Sequence, residues 1–178
     1  MDRRAVIADA AIAVVADEGL RALTHRGIDA AAGLPAGSTS YYFRTRSELL
    51  TAIVDRVTES SRAAFERVTS RSDESVLDES VVEVSVQYLA HLLSERPKQL
   101  RARHSLLIDA GIGPEERVKL GQCLFSLDRA TELFGDRLLA AGFVALCEGL
   151  VVTGLEAGTT PEALRVPIVT YLRGARKS

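Results

Sequence analysis

Residues 24–46 read THRGIDAAAGLPAGSTSYYFRTR, and the fold turns on this stretch. Thr24 is a residue whose hydroxyl caps helix starts, so a short helix begins there and runs to Ala32, where Gly33 stops it. Glycine enters the φ > 0 region without steric cost, which suits Gly33 to a tight turn. A further short helix begins near Pro35, a residue tolerated in a first turn, and ends by Phe43. Ala30 and Ala31 permit a close crossing of the two helices, and Leu34 is placed to pack inward. That is the pattern of a helix-turn-helix, whose second helix enters the major groove of DNA. Ala36, Gly37, Ser38, Thr39 and Ser40 are small enough to approach base edges, and their hydroxyls can bond bases or phosphates. Tyr41 and Tyr42 follow, Phe43 pins the helix to the core, and Arg44 and Arg46 lie at the next helix's start, where backbone N–H groups favour a phosphate.

On either side the helical reading continues. Ile7, Ala10, Ala11 and Val14 recur at helical spacing in a first helix from about Asp2 to Glu18, with Gly19 as its natural stop. Thr45-Arg46-Ser47-Glu48 is a capping box, opening a long helix whose stripe of Leu49, Leu50, Ile53, Val57 and Phe65 reaches about Thr69. Ser70–Ser75 is polar, without apolar period, and reads as a loop. Helical stretches follow near Val76–Ser94, Pro97–Ala110, Pro114–Leu139, Phe143–Gly158 and Pro161–Arg173, with only Ala140–Gly142 to separate the third from the fourth. No stretch alternates as a strand would, so the fold class is all-α. The organisation reads as a helix-turn-helix module over residues 1–46 and a larger helical bundle over 47–178.

Composition bounds the function. The 178 residues carry 22 Lys+Arg against 24 Asp+Glu, a net charge of -2, which excludes an indiscriminately basic nucleic-acid coat. Between Arg21 and Arg46, however, four arginines face one anion, Asp29, before His25 is counted. A modest basic face on a balanced chain fits weak background binding, with affinity recruited by two copies. Cys123 and Cys147 are too few for a disulfide framework, as in a reduced, cytoplasmic compartment. The early run AVIADAAIAVVA is broken by Asp9 and closed by Asp17-Glu18, so it is a folded helix rather than a leader. With no run of 18 uncharged apolar residues, no membrane span is expected and the chain reads as soluble. Walker, dinucleotide, nucleophile-elbow and HExxH motifs do not occur, and an enzyme is not expected. His91, His104 and Cys123 lack metal-ligand spacing, and neither metal nor cofactor is expected.

Through IADAAIAVVADEG, LTHRGIDAAAGLPAGSTSYYF and TRSELL, the stretch from Ile7 to Leu50 resembles the DNA-binding region of the TetR-family transcriptional repressors. The resemblance implies a dimeric repressor that leaves a near-palindromic operator when a small apolar or amphipathic effector binds in the bundle. It implies that Thr24 meets a phosphate, that Arg26 lies where some members touch a base, and that Ala36, Gly37 and Ser38 fall at base-reading positions. Tyr42 matches an aromatic or histidine position that meets phosphate, and Arg46 a basic position, most often Lys, at the fourth helix's start. One departure is Ser40, where most members carry a tyrosine, leaving Tyr41 to take part of that role. With His25 beside them, these residues make up the DNA-binding set.

The bundle carries a weaker signal. Tyr88, His91, Leu92, His104, Leu107, Cys123, Phe125 and Leu127 lie on amphipathic helices, and the resemblance implies an effector pocket lined by some of them. The last two helices resemble the family's four-helix dimer bundle, with Leu146, Leu150, Val151, Leu155, Leu164, Ile168 and Leu172 at the seam and Gly149 and Gly154 allowing close approach. The alternative is a helix-turn-helix regulator whose bundle is a protein-interaction surface with no small-molecule effector.

Overall fold

The computed structural model describes residues 2–69, 77–109 and 111–175. The loop expected over Ser70–Ser75 lies outside the described residues, as do Val76 and Ala110, the expected ends of two helices. Among the described residues the chain forms ten α-helices and no strand. It divides into two compact units, Met1–Ser60 with Lys98–Gly121, and Ser61–Pro97 with Gln122–Ser178. The division drawn at residue 46 therefore falls inside the first unit.

In the first unit, helix α1 (Arg3–Glu18) is capped by Asp2, whose carboxylate accepts from Arg4 N at 2.9 Å, and stops at Gly19 with φ +82°. A 3-10 turn, Leu20–Ala22, leads to α2 (His25–Ala31), capped as expected by Thr24 Oγ1 accepting from Gly27 N at 3.0 Å. Gly33 takes φ +63° in the turn. Helix α3 is shorter than its sequence pattern implies, covering only Ser38–Tyr42. Pro35 and Ala36 stay in the turn because Gly37, at φ +91°, is the cap, and its N–H is held by a side chain of α2. The capping box opens α4 (Arg46–Thr69): Glu48 N donates to Thr45 Oγ1 at 3.1 Å, while Glu48 Oε2 accepts from Thr45 N and Arg44 N. Ile7, Ala11, Val15, Leu23, Ile28, Phe43, Leu49 and Ile53 are buried in this unit. At about 1.5–3 kcal/mol per large apolar side chain, their burial is what holds such short helices.

Helices α6 (Pro97–Ile108) and α7 (Pro114–Gly121) complete the first unit. The fully buried Arg103 donates from Nε to Leu120 O at 2.9 Å, tying the two helices together. Arg117 closes the turn between them by donating to the carbonyls of Leu107, Asp109 and Ile112, which places a cation at the negative end of α6. Lys98–Asp17, Lys119–Asp55 and the Thr51–Glu116 hydrogen bond link this pair to α1 and α4. As exposed, salt-screened ion pairs, the two salt bridges add little to stability.

The second unit holds the end of α4 with α5 (Leu77–Glu95), α8 (Leu127–Phe134), α9 (Arg137–Ala157) and α10 (Pro161–Ala175). The single helix expected over Pro114–Leu139 is three helices, and the break expected at Ala140–Gly142 is the interior of α9. Caps decide both differences. Ser126 Oγ accepts from Arg129 N to start α8, Gly135 ends it at φ +68°, and Asp136 Oδ1 accepts from Leu138 N and Leu139 N to start α9. Gly142 is needed inside α9 because the Tyr171 hydroxyl of α10 lies where a Cβ would go, donating to Leu139 O at 2.6 Å. Glu83 of α5 pairs with Arg165 of α10, and that guanidinium holds the carboxyl below the ordinary range.

Candidate nucleic-acid interface

The short helix α3 cannot hold itself, since helices of this length are unstable alone. Its start is held by Asp29 of α2, a residue that entered the sequence reading only as a negative charge. Asp29 Oδ1 accepts from Thr39 N at 2.7 Å and Thr39 Oγ1 at 2.6 Å, while Oδ2 accepts from Gly37 N at 2.8 Å. Burial pushes this carboxyl up, but the bonds from Thr39 and Gly37 outweigh it and hold it below its usual value. Phe43, fully buried, anchors the other end. There Arg4 of α1 donates to Tyr42 O at 3.0 Å and lies 4.4 Å over the Phe43 ring. A cation suits the negative end of a helix. Sequence reasoning missed both residues: contacts 10 and 38 positions along the chain leave no periodic trace.

Around this frame the expected contact residues divide. Thr24, Arg26, Ala36, Gly37, Ser40, Tyr41, Arg44 and Arg46 are exposed, with Ser38, Tyr42 and His25 half-buried. Tyr41, 79% exposed, stands edge-to-face with Tyr42 at 5.2 Å between ring centres. Large aromatic side chains are seldom left so open. Thr39 is the exception. It is fully buried, its hydroxyl is spent on Asp29, and it braces the helix from behind rather than facing outward. Ser38 and Ser40 donate back to Pro35 O at 2.6 Å and Gly37 O at 2.9 Å, leaving oxygen lone pairs turned to the surface. Arg46 already carries a structural load, donating to Leu23 O at 2.8 Å and Leu20 O at 3.0 Å. His25 Nε2 is enclosed with no hydrogen-bond partner among the described residues. Because Asp29 faces inward, the outward face of residues 21–46 is more positive than its residue count.

Residues 7–53 match the family described as bacterial regulatory proteins, tetR family. Over these residues the N-terminal module has that family's sequence pattern. The whole described chain follows the same fold. A member of the TetR family from Streptomyces coelicolor A3 superposes with TM-score 0.73 at 25% identity, over 96% of this chain and 98% of that one. The multidrug binding protein EbrR, complexed with ethidium, gives 0.70 at 25% identity over 96% and 98%. A TetR family transcription regulator from Marinobacter aquaeolei VT8 gives 0.74 at 20% identity over 96% and 94%, a likeness of fold. No curated protein matches the sequence.

The residues expected to line an effector pocket fall in both units. His104 and Leu107 belong to the first, where His104 Nδ1 lies 2.9 Å from Leu100 O. Tyr88, His91, Leu92, Cys123, Phe125 and Leu127 belong to the second. Three of these meet: the buried Tyr88 hydroxyl lies 3.3 Å from both Ser61 O and Cys123 O, and its ring stands 5.5 Å from Phe125. Tyr88 and Phe125 are part of a larger aromatic chain that the sequence did not reveal. Phe65, Tyr88, Phe125, Phe143, Phe134 and Tyr171 follow one another at 5.2–6.4 Å, mostly edge-to-face. Six of the chain's nine aromatic residues are gathered here. Among the described residues no group of His, Cys, Asp or Glu could hold a metal ion. Cys147 is buried, which with Glu148 nearby pushes its thiol up to about 12 and leaves it protonated.

The expected seam residues also separate. Val151, Leu164 and Ile168 are completely buried within the second unit, and Leu146, Leu150, Leu155 and Leu172 are half-buried. Gly149 is exposed and lies on an outward stripe of α9 with Leu138, Ala141, Ala145 and Val152, at spacings of three and four residues. Val166 of α10 is exposed too. By length and composition α9 could cross a membrane, with mean hydropathy 2.0 over 18 residues of which 22% are buried. The expectation of no span rested on uncharged runs, and Glu148 interrupts this one.

Proposed function

We propose that this chain is a cytoplasmic, dimeric, sequence-specific DNA-binding repressor, released from a near-palindromic operator by a small apolar or amphipathic effector bound in its helical bundle. The observation that carries the reading is the solvent-facing α3, braced from behind by Asp29, Thr39, Arg4 and Phe43 and flanked by exposed arginines. A helix so held presents Ser38, Ser40 and Tyr41 to base edges. Thr24, His25, Arg26, Tyr42, Arg44 and Arg46 surround it as backbone contacts, with Ala36 and Gly37 letting the turn approach closely. Two copies joined through the outward stripe of α9 and the exposed face of α10 supply two such helices. Support for an effector comes from the gathered aromatic side chains and from the likeness to EbrR, which is described as multidrug binding. Such a molecule acts only through unequal affinity for the DNA-binding and released conformations, so effector and operator must weaken one another equally.

The test is selection of bound sequences from random duplex DNA with the purified chain. A motif of two inverted half-sites, spaced by about one helical turn, is the expected result; recovery of random sequence overturns the reading. Titrating the selected operator complex with ethidium and with malachite green then tests effector control in the bundle.

A further inference from the structure

We propose that Asp29 and Thr39 are positioning residues that set the pose of α3, and through it the base preference, without touching DNA. The inference rests on the reading of α3 as the base-contacting helix. Its three hydrogen bonds, at 2.6, 2.7 and 2.8 Å, engage both carboxylate oxygens with two alternate positions of the chain, Gly37 and Thr39. A carboxylate held by three directional bonds at two points resists both sliding and rotation of the helix it caps. Asp29 is 3% exposed and Thr39 is fully enclosed, so water does not compete for these bonds. The N–H groups of Gly37 and Thr39 are thereby occupied and closed to a DNA phosphate, which makes this helix start an internal joint.

The two residues on either side of Thr39 face the surface. Ser38 and Ser40 share its backbone, and any rotation of Thr39 in its socket moves their hydroxyls at once. Hydrogen bonds to base edges tolerate only a few tenths of an ångström. Long, exposed arginines such as Arg26 and Arg44 follow a phosphate through larger shifts. Loosening the joint should therefore cost base discrimination while sparing the electrostatic part of binding. A residue that merely stabilises the fold would instead lower the folded fraction and leave the preferred sequence unchanged.

Two conservative substitutions at one position separate these cases. Thr39→Val keeps the methyl and removes the hydroxyl; Thr39→Ser keeps the hydroxyl and removes the methyl. Each full-length variant would be checked for parental helicity, carried through the same DNA selection, and titrated against the parent operator and a random duplex at several salt concentrations. For Thr39→Val the ratio of specific to random affinity should fall by about tenfold, with altered preference near the centre of each half-site and an unchanged salt slope. Thr39→Ser should keep the parental motif and ratio, and Asp29→Asn should behave as Thr39→Val does. The inference is overturned if Thr39→Val retains the parental motif and ratio, if Thr39→Ser is the variant that loses them, or if specificity and salt slope fall together. Failure of the parent to select any motif would instead overturn the reading of α3 on which the inference stands.

Discussion

Arg46→Lys separates two roles that share one side chain. The Arg46 guanidinium reaches across the first unit and donates to Leu23 O at 2.8 Å and Leu20 O at 3.0 Å, pinning the 3-10 turn that carries the chain from α1 to α2. Lysine keeps the charge but offers a single ammonium that cannot span both carbonyls with the same fork. Hydrogen bonds from charged donors contribute about 1.5–3 kcal/mol each when enclosed. This side chain is exposed, so screening reduces the pair to about 1–2 kcal/mol in total. Urea denaturation should show that loss as a lower midpoint at constant slope. Operator titrations should show the parental salt dependence, because the number of cations available to phosphates is unchanged. Arg44→Ala is the converse: that exposed side chain braces nothing among the described residues, so stability should stay within about 0.5 kcal/mol. Its salt slope should fall by about 0.9 for each phosphate no longer neutralised, close to two for a dimer. If Arg46→Lys kept parental stability yet reduced the salt slope, the assignment of Arg46 to the Leu20–Leu23 turn would be refuted.

Three further outcomes follow from the same structure. Burial raises the Asp29 carboxyl, but the bonds from Thr39 and Gly37 lower it more, so its net shift is downward and its contribution to stability is complete above the unfolded value near 3.9. That contribution decays as pH falls through the lowered folded value, so parent and Asp29→Asn urea midpoints should converge on acidification; parallel curves would refute the linkage. Gly142→Ala should destabilise by about 1–3 kcal/mol through overpacking against Tyr171, despite alanine's better helix propensity. Removing the hydroxyl in Gly142→Ala/Tyr171→Phe should recover part of that loss, and strict additivity would show that the overlap is relieved elsewhere. Ala145→Glu should leave the protomer folded, because the site is exposed, yet convert a dimer to monomer in sedimentation velocity and weaken operator binding; an unchanged dimer would remove α9 from the interface.

What could be read from the sequence is what is written within one or two helical turns. Thr24, Gly33 and the Thr45–Glu48 box act on groups three or four residues away, so their roles follow from composition and spacing. The same logic located helix α3 but overshot its start, because the group that decides where α3 begins is a carboxylate eight residues upstream of Gly37. Asp29 entered the charge count only as an anion, and no local pattern tied Arg4 to α3, until the fold brought each against that helix. Ser126 and the Gly135-Asp136 pair were visible as residues but lost within a sustained apolar period, which is why three helices read as one over 114–139. The aromatic chain from Phe65 to Tyr171 is spread over more than a hundred positions, and no local pattern announces it.

Helix α9 shows why periodicity marked an apolar helix without sorting its inward residues from its outward ones. A helix with one apolar stripe declares which face is inward; this one is apolar nearly all round, so the period fades and either face can be taken for the other. Packing makes the choice: Phe143, Cys147 and Val151 enter the core of the second unit, together with Leu164 and Ile168 of α10. The apolar stripe left outside runs through Leu138, Ala141, Ala145, Gly149 and Val152, with Arg137, Thr153, Glu156 and Ala157 also exposed. A lipid environment gains little from alanine and glycine, whereas small side chains let another helix approach closely, where many weak contacts add up. Insertion would also carry Glu148 into hydrocarbon and strip the inner face from the aromatic core that it now completes. Under the dimeric reading proposed above, the occupant that suits this stripe is an identical helix related by a twofold axis, so that the stripe that hid the inner face from sequence reasoning is the one that would pair two copies of α3.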